Sequence, residues 1–179
     1  MSATATLPQI TEEFAVTTRD FAVAGFEREI QATKKVIEAI PEDKKHWKPD
    51  PKAKSAEELA WHIASVEVGM LYGIANLRFM TMGEEEEVQK NPPKTIAEIA
   101  KWYAENLPKA VEKIHAMTPK QLLTPIDFFG AFNFPAFMYL EFAKVHTIHH
   151  RGWLASYLRP MGSKCPSIYG GSADEPWQA

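Results

Sequence analysis

Three of the six histidines in this chain fall within five residues, at His146, His149 and His150. A neutral imidazole can carry a proton near neutral pH, and it is also a common nitrogen ligand for divalent metals. Spacing decides which histidines can act together. On a helix, residues i and i+4 lie roughly 5–6 Å apart at Cβ on one face. Read in steps of four, one row is Met138, Phe142, His146, His150, Leu154 and Leu158, apolar apart from its two histidines. The row through His149 carries Glu141, so it belongs nearer the edge of a buried face. His146 and His150 are therefore expected to point inward, with His149 flanking them.

Burying two imidazoles without partners costs on the order of 1–3 kcal/mol each. Hydrogen bonds to core neighbours would remove that cost, and so would a shared cation. A metal site needs a third ligand, and His62 supplies one. It stands one position from Leu59 and Ile63 around a second helical pattern, in the row Glu58, His62, Val66, Met70. His46 lies in a polar connector, and His115 near a helix end, where an imidazolium suits the helix dipole. Neither shares an apolar row of this kind. The expected site is thus His62, His146 and His150. Three imidazoles suit Zn²⁺, with Ni²⁺ and Fe²⁺ as alternatives, and three protein ligands leave a position open.

Other chemistries lack their residues. There is no H-E-x-x-H, no G-x-S-x-G and no phosphate-binding glycine loop. A di-iron bundle needs two E-x-x-H motifs, and only Glu112 to His115 fits.

Four helical patterns must position the histidines. The first spans about residues 10–40, with Phe14, Phe21, Phe26, Ile30, Ile37 and Ile40 as its stripe. The second opens on the capping box Ser55–Glu58 and is expected to run to about Gly83. The acidic run 84–87 reads as a solvated loop. Thr95–Glu98 caps the third, which runs to about Met117 with a kink expected at Pro108. A short helical turn is expected at 119–123, and an extended piece at 126–129. The fourth helix covers about 135–158. Four helices of this length joined by long connections make an all-α four-helix bundle, with crossovers permitted. The whole chain, 1–179, reads as one domain, with residues 1–8 disordered and 159–179 an irregular tail.

The 179 residues are 45% apolar and 24% charged, with a net charge of −3. That balance gives no reason to expect nucleic acid or an anionic membrane as partner. No apolar run reaches the roughly 18 residues of a membrane helix. The N-terminal sequence lacks a signal-peptide pattern, and one cysteine, Cys165, permits no intrachain disulfide. A cytoplasmic location is expected. Cys165 is expected to pack rather than react.

The stretches "SAEELAWHIASVE", "HTIHHRGWLASYLRPMG" and "PSIYGGSADEP" resemble the DinB-like (YfiT-like) proteins, in order and over nearly the whole chain. The resemblance implies a four-helix bundle with crossover topology, often a homodimer. It also implies a divalent metal on His62, His146 and His150. Some relatives are transferases or isomerases that use low-molecular-weight thiols such as bacillithiol, mycothiol or glutathione. A thiol entering the open position would lose its proton and attack an electrophilic small-molecule substrate. Phe128, Phe132, Phe137 and Tyr72 are the expected pocket walls. His149 is a candidate base, and Glu67 a candidate to orient His62. The same ligand set would serve a hydrolase that activates water. A third reading is a non-catalytic bundle pinned by a structural metal.

Overall fold

A computed structural model of the protein describes residues 10–81, 83–84 and 91–177. The terminus expected to be disordered, and most of the acidic run, lie outside the described residues. Helix α1 is Glu12–Glu38, α2 Ala56–Ala75, α3 Ile96–His115, α4 the short Pro119–Leu123 and α5 Met138–Leu158. The four long helices form a ring in which α1 packs on α3, α3 on α2, α2 on α5 and α5 on α1. Consecutive helices α1 and α2 are therefore diagonal, which is the crossover topology. No helix among the described residues is long and apolar enough to cross a membrane.

Four of these starts have a local cause, whereas α5 starts after Phe137 without a side-chain cap. The Thr11 side chain accepts the Phe14 N–H and caps α1. Ser55 with Glu58, and Thr95 with Glu98, close reciprocal capping boxes on α2 and α3. A third box, Thr118 with Gln121, starts α4. Such caps satisfy N–H groups that a first helical turn leaves without partners. Helix α3 continues through Pro108.

Two expectations need correction, and a third is borne out and extended. First, α2 stops at Ala75, well short of Gly83. Leu77 takes a left-handed φ of 55°, and the chain doubles back. A Cβ on Gly73 would lie 2.7 Å from Phe79 Cδ1, and one on Gly69 2.9 Å from Met80 Cε. Those two glycines let the returning segment lie directly against α2. Second, Phe14 and Phe21 are exposed, and α1 packs instead through small residues such as Ala15, Ala22 and Gly25. Third, the extended piece is a two-stranded antiparallel hairpin, β1 Pro125–Phe128 with β2 Phe132–Pro135. Its turn places Phe129 and Gly130 at φ 54° and 74°. Tyr139 holds it to α5: its hydroxyl donates to the Ile126 carbonyl at 2.8 Å and accepts from Phe134 N–H at 3.1 Å.

The phase of α5 also differs from the expected one. Its fully buried row is Leu140, Ala143, Thr147, Arg151, Leu154 and Leu158. Met138 and Phe142 are exposed, and His146 and His150 half-buried. The histidine row therefore borders the core and faces a cleft. After α5, residues 159–177 form no helix or strand but are tied down. Asp174 accepts from Arg159 and from the Cys165 N–H, both at 2.9 Å.

Candidate metal centre

His62 comes from α2, and His146 and His150 come from successive turns of α5. One ligand atom from each lies within 4.8 Å of the other two, so a single ion can be shared among them. Ring centroids are 5.3 Å apart for His62–His146, 4.6 Å for His62–His150 and 4.4 Å for His146–His150. The α2–α5 contact thus brings together residues more than 80 positions apart in sequence.

Burial holds the rings neutral. It pushes His62 down to about 4, helped by His150, His146 and Lys54. It pushes His150 down to about 4 as well, helped by His146, His149 and Lys54. His146 moves the same way, through burial and then His149. A neutral imidazole has the free lone pair that a metal ligand requires. The Nδ1 atoms of His146 and His150 are shielded from solvent and have no hydrogen-bond partner among the described residues. A donor set of three neutral, closely spaced imidazoles therefore fits a divalent cation of the borderline class.

Two of the three histidines, His62 and His146, line a cleft of about 770 Å³ along α2. Lys54, Glu57 and Glu58 line one end, and Trp61, His62 and His146 the middle. Gly69, Met70, Phe79, Met80, Phe128 and Phe129 line the other end. Of the expected walls, Phe128 is present. Phe132 is exposed on the hairpin, Phe137 is buried in edge contact with Phe14 at 5.9 Å, and Tyr72 sits beneath Lys113. Phe79 and Met80 escaped sequence reasoning because the expected helix ran through them.

His149 is exposed, its ring 5.1 Å from His150 and 4.6 Å from Trp153. Glu67 lies in the interior, where it accepts from the Tyr103 hydroxyl at 2.6 Å rather than from an imidazole. Burial raises its carboxyl to about 7, opposed by Tyr103, by nearby Thr147 and by Arg151. The Thr147 hydroxyl makes no hydrogen bond of good geometry. His46 is exposed and pairs with Glu57 at 3.1 Å. The His115 carbonyl accepts from Arg19 at 3.0 Å. Cys165 does not line the cleft.

One cluster had no sequence-level signal beyond an arginine following His150. Arg151 is 2% exposed, and its guanidinium donates to Glu29 at 2.5 Å and to Thr33 at 3.1 Å. It also donates to the Tyr169 hydroxyl, which in turn donates to Glu29 at 2.8 Å. The irregular tail is thereby anchored to the core of α5.

The chain matches the family model for the DinB superfamily over residues 25–154. It is 32% identical over 149 residues to YjoA of Bacillus subtilis (strain 168), spanning 78% of this chain and 88% of that protein. The crystal structure of that DinB-like protein aligns with a TM-score of 0.66 at 27% identity, covering 83% of this chain and 96% of the other. A DinB-like protein from Bacillus cereus shares the fold, with a TM-score of 0.68 at 24% identity over 84% of this chain and 97% of the other. Sequence and architecture agree over most of its length: the chain belongs to the DinB superfamily.

Proposed function

We propose that the protein is a divalent-metal-dependent enzyme acting on a small molecule, with a low-molecular-weight thiol as co-substrate in an S-transfer reaction. The observation that carries this reading is a cluster of three neutral imidazoles, two of which, His62 and His146, line a large, partly apolar cleft. A structural pin has no need of such a cleft. His62, His146 and His150 would hold the ion, Zn²⁺ or Ni²⁺ ahead of Fe²⁺. An ion there supplies Lewis acidity, which favours deprotonation of a thiol or water beside it.

The residues of the chain do the rest. Phe79, Phe128 and Met70 exclude water from one side of the site. His149, exposed beside His150, accepts the proton released and passes it to solvent. Glu67 acts from further away: its bond to Tyr103 ties α2 to α3 and so fixes the helix that carries His62. A cytoplasmic location belongs to this reading, supported by the single cysteine. So does a homodimer, supported by exposed apolar side chains such as Phe21 and Trp153. The modest negative charge speaks against nucleic acid as a partner.

Protein purified without an affinity tag, assayed for metal by elemental analysis, is expected to carry one ion per chain. Calorimetric titration of the loaded protein with cysteine, glutathione and bacillithiol should then give binding that is lost in His62→Ala. Metal without any thiol binding would favour the hydrolase. Absence of bound metal would overturn both.

A further inference from the structure

The cleft is chemically two-ended about the histidines, and its charges are not equally free. Glu57 is paired with Lys45 and His46. Glu58 is held by the Ser55 N–H and by Lys48. Lys54, exposed at the same end, has no ion pair or hydrogen bond among the described residues, and its charge reaches both His62 and His150. Among the described residues that line the cleft, it is the one uncommitted cation. In the other direction, past Ser65, whose hydroxyl donates to the Trp61 carbonyl, the trough turns apolar, with two thioethers (Met70 and Met80) and three aromatic rings (Phe79, Phe128 and Phe129). From the rise of α2, the charged end begins about 6 Å before His62 and the apolar end reaches about 12 Å beyond it.

We infer that the cleft selects a substrate with an apolar, aromatic or alkyl body and an anionic group at one end. The anion is read by Lys54 and the body lies along the Met70–Phe128 trough, which sets the intervening atoms beside the histidines. This rests on the cleft being the substrate site of the proposed function. It adds the substrate class. An unpaired cation favours an anion over a neutral analogue, while thioethers and ring faces adapt to flat or flexible apolar groups without demanding hydrogen bonds.

The test needs neither metal nor thiol, so it can fail independently of the reaction. Two fluorescent probes share one aromatic body: anilinonaphthalenesulfonate carries an anion, and N-phenylnaphthylamine does not. A sulfonate is also a poor metal ligand, and each titration is run with zinc and with a chelator. The anionic probe should bind more tightly, and Lys54→Gln should reduce that preference roughly two- to fivefold at low ionic strength, the worth of an exposed ion pair. High salt should erase the difference. Lys52→Gln, outside the cleft, should change nothing. Gly69→Leu should weaken both probes alike, since its Cβ would meet only the flexible tip of Met80 and the rest of the side chain would take up room in the trough. Phe128→Ala should do the same, with circular dichroism verifying the fold of each variant. An unchanged preference in Lys54→Gln, or unchanged binding of both probes in folded Gly69→Leu, would overturn the inference.

Discussion

On α5, His146 and His150 stand one residue before Thr147 and Arg151, so the two pairs occupy adjacent rows about 100° apart around one helix. The Arg151 row is closed. Its guanidinium donates to Glu29, Thr33 and Tyr169, and a charge taken out of water is answered on every side. The histidine row is half-open, and two of its nitrogens have no hydrogen-bond partner among the described residues. Native interiors satisfy nearly all their polar groups; Thr147 Oγ1 is an exception within the Arg151 row, and the two histidine nitrogens are exceptions in the row beside it. The contrast separates the part of α5 that ties the helix to α1 and the tail from the part that meets His62.

Breaking the closed row should have the largest effect. Arg151→Met leaves the Glu29 carboxylate without its cation, and loss of one partner of a buried pair costs about 3–5 kcal/mol. Urea denaturation should show a loss of that size, and a loss below about 1 kcal/mol would mean that the closed row does not hold the helix. The open row should respond differently. His150→Ala should change the stability of metal-free protein little but abolish the rise in melting temperature on adding Zn²⁺, since ligand binding stabilises only where the site exists. A large loss in the metal-free state would make the histidines core residues after all.

The pH dependence of metal-free protein sharpens the contrast, because the groups concerned have opposite signs. His62 and His150 are held at about 4, below the ordinary histidine value. As pH falls from about 6.5 towards 4, the unfolded chain takes up protons that the folded one refuses, and stability drops. Glu67 is raised to about 7, so as pH rises from about 4.5 towards 7 the unfolded carboxyl ionises first and stability again drops. The two windows overlap, so Glu67 opposes the histidines between about pH 4.5 and 6.5, and Glu67→Gln should make the acid-side loss of stability steeper, as read from stability measured at several pH values. An unchanged pH profile in Glu67→Gln would contradict the assignment. The smallest effect belongs to the tail. Tyr169→Phe removes the hydroxyl shared by Glu29 and Arg151 and should cost about 1 kcal/mol, leaving zinc binding unchanged.

Much of the site was legible in the residues themselves. Ser55–Glu58 and Thr95–Glu98 announce helix starts through local hydrogen bonds, and local chemistry survives folding. His62, His146 and His150 were selected by periodicity, and the helices bring the same three together. The phase was displaced by one residue because Met138 and Phe142 were expected to be buried and instead lie exposed. Arg151 could not be placed from sequence, since its partner Glu29 is 122 positions away and a lone arginine on a helix is ordinarily exposed. The end of α2 was missed for a related reason. Nothing local to 76–83 requires a reversal, and the reversal is stabilised by what Phe79 meets on Gly73.

That glycine governs more than a turn. A methyl group at position 73 would meet Phe79 Cδ1 at 2.7 Å and the Arg78 carbonyl oxygen at 3.3 Å, forcing the backbone of the returning segment outward. The wall formed by Phe79 and Met80 would leave with it. A chain carrying that one change would retain every histidine and lose one wall of the cleft beside them. A single hydrogen atom at position 73 thus sets the shape of the cleft independently of the three imidazoles.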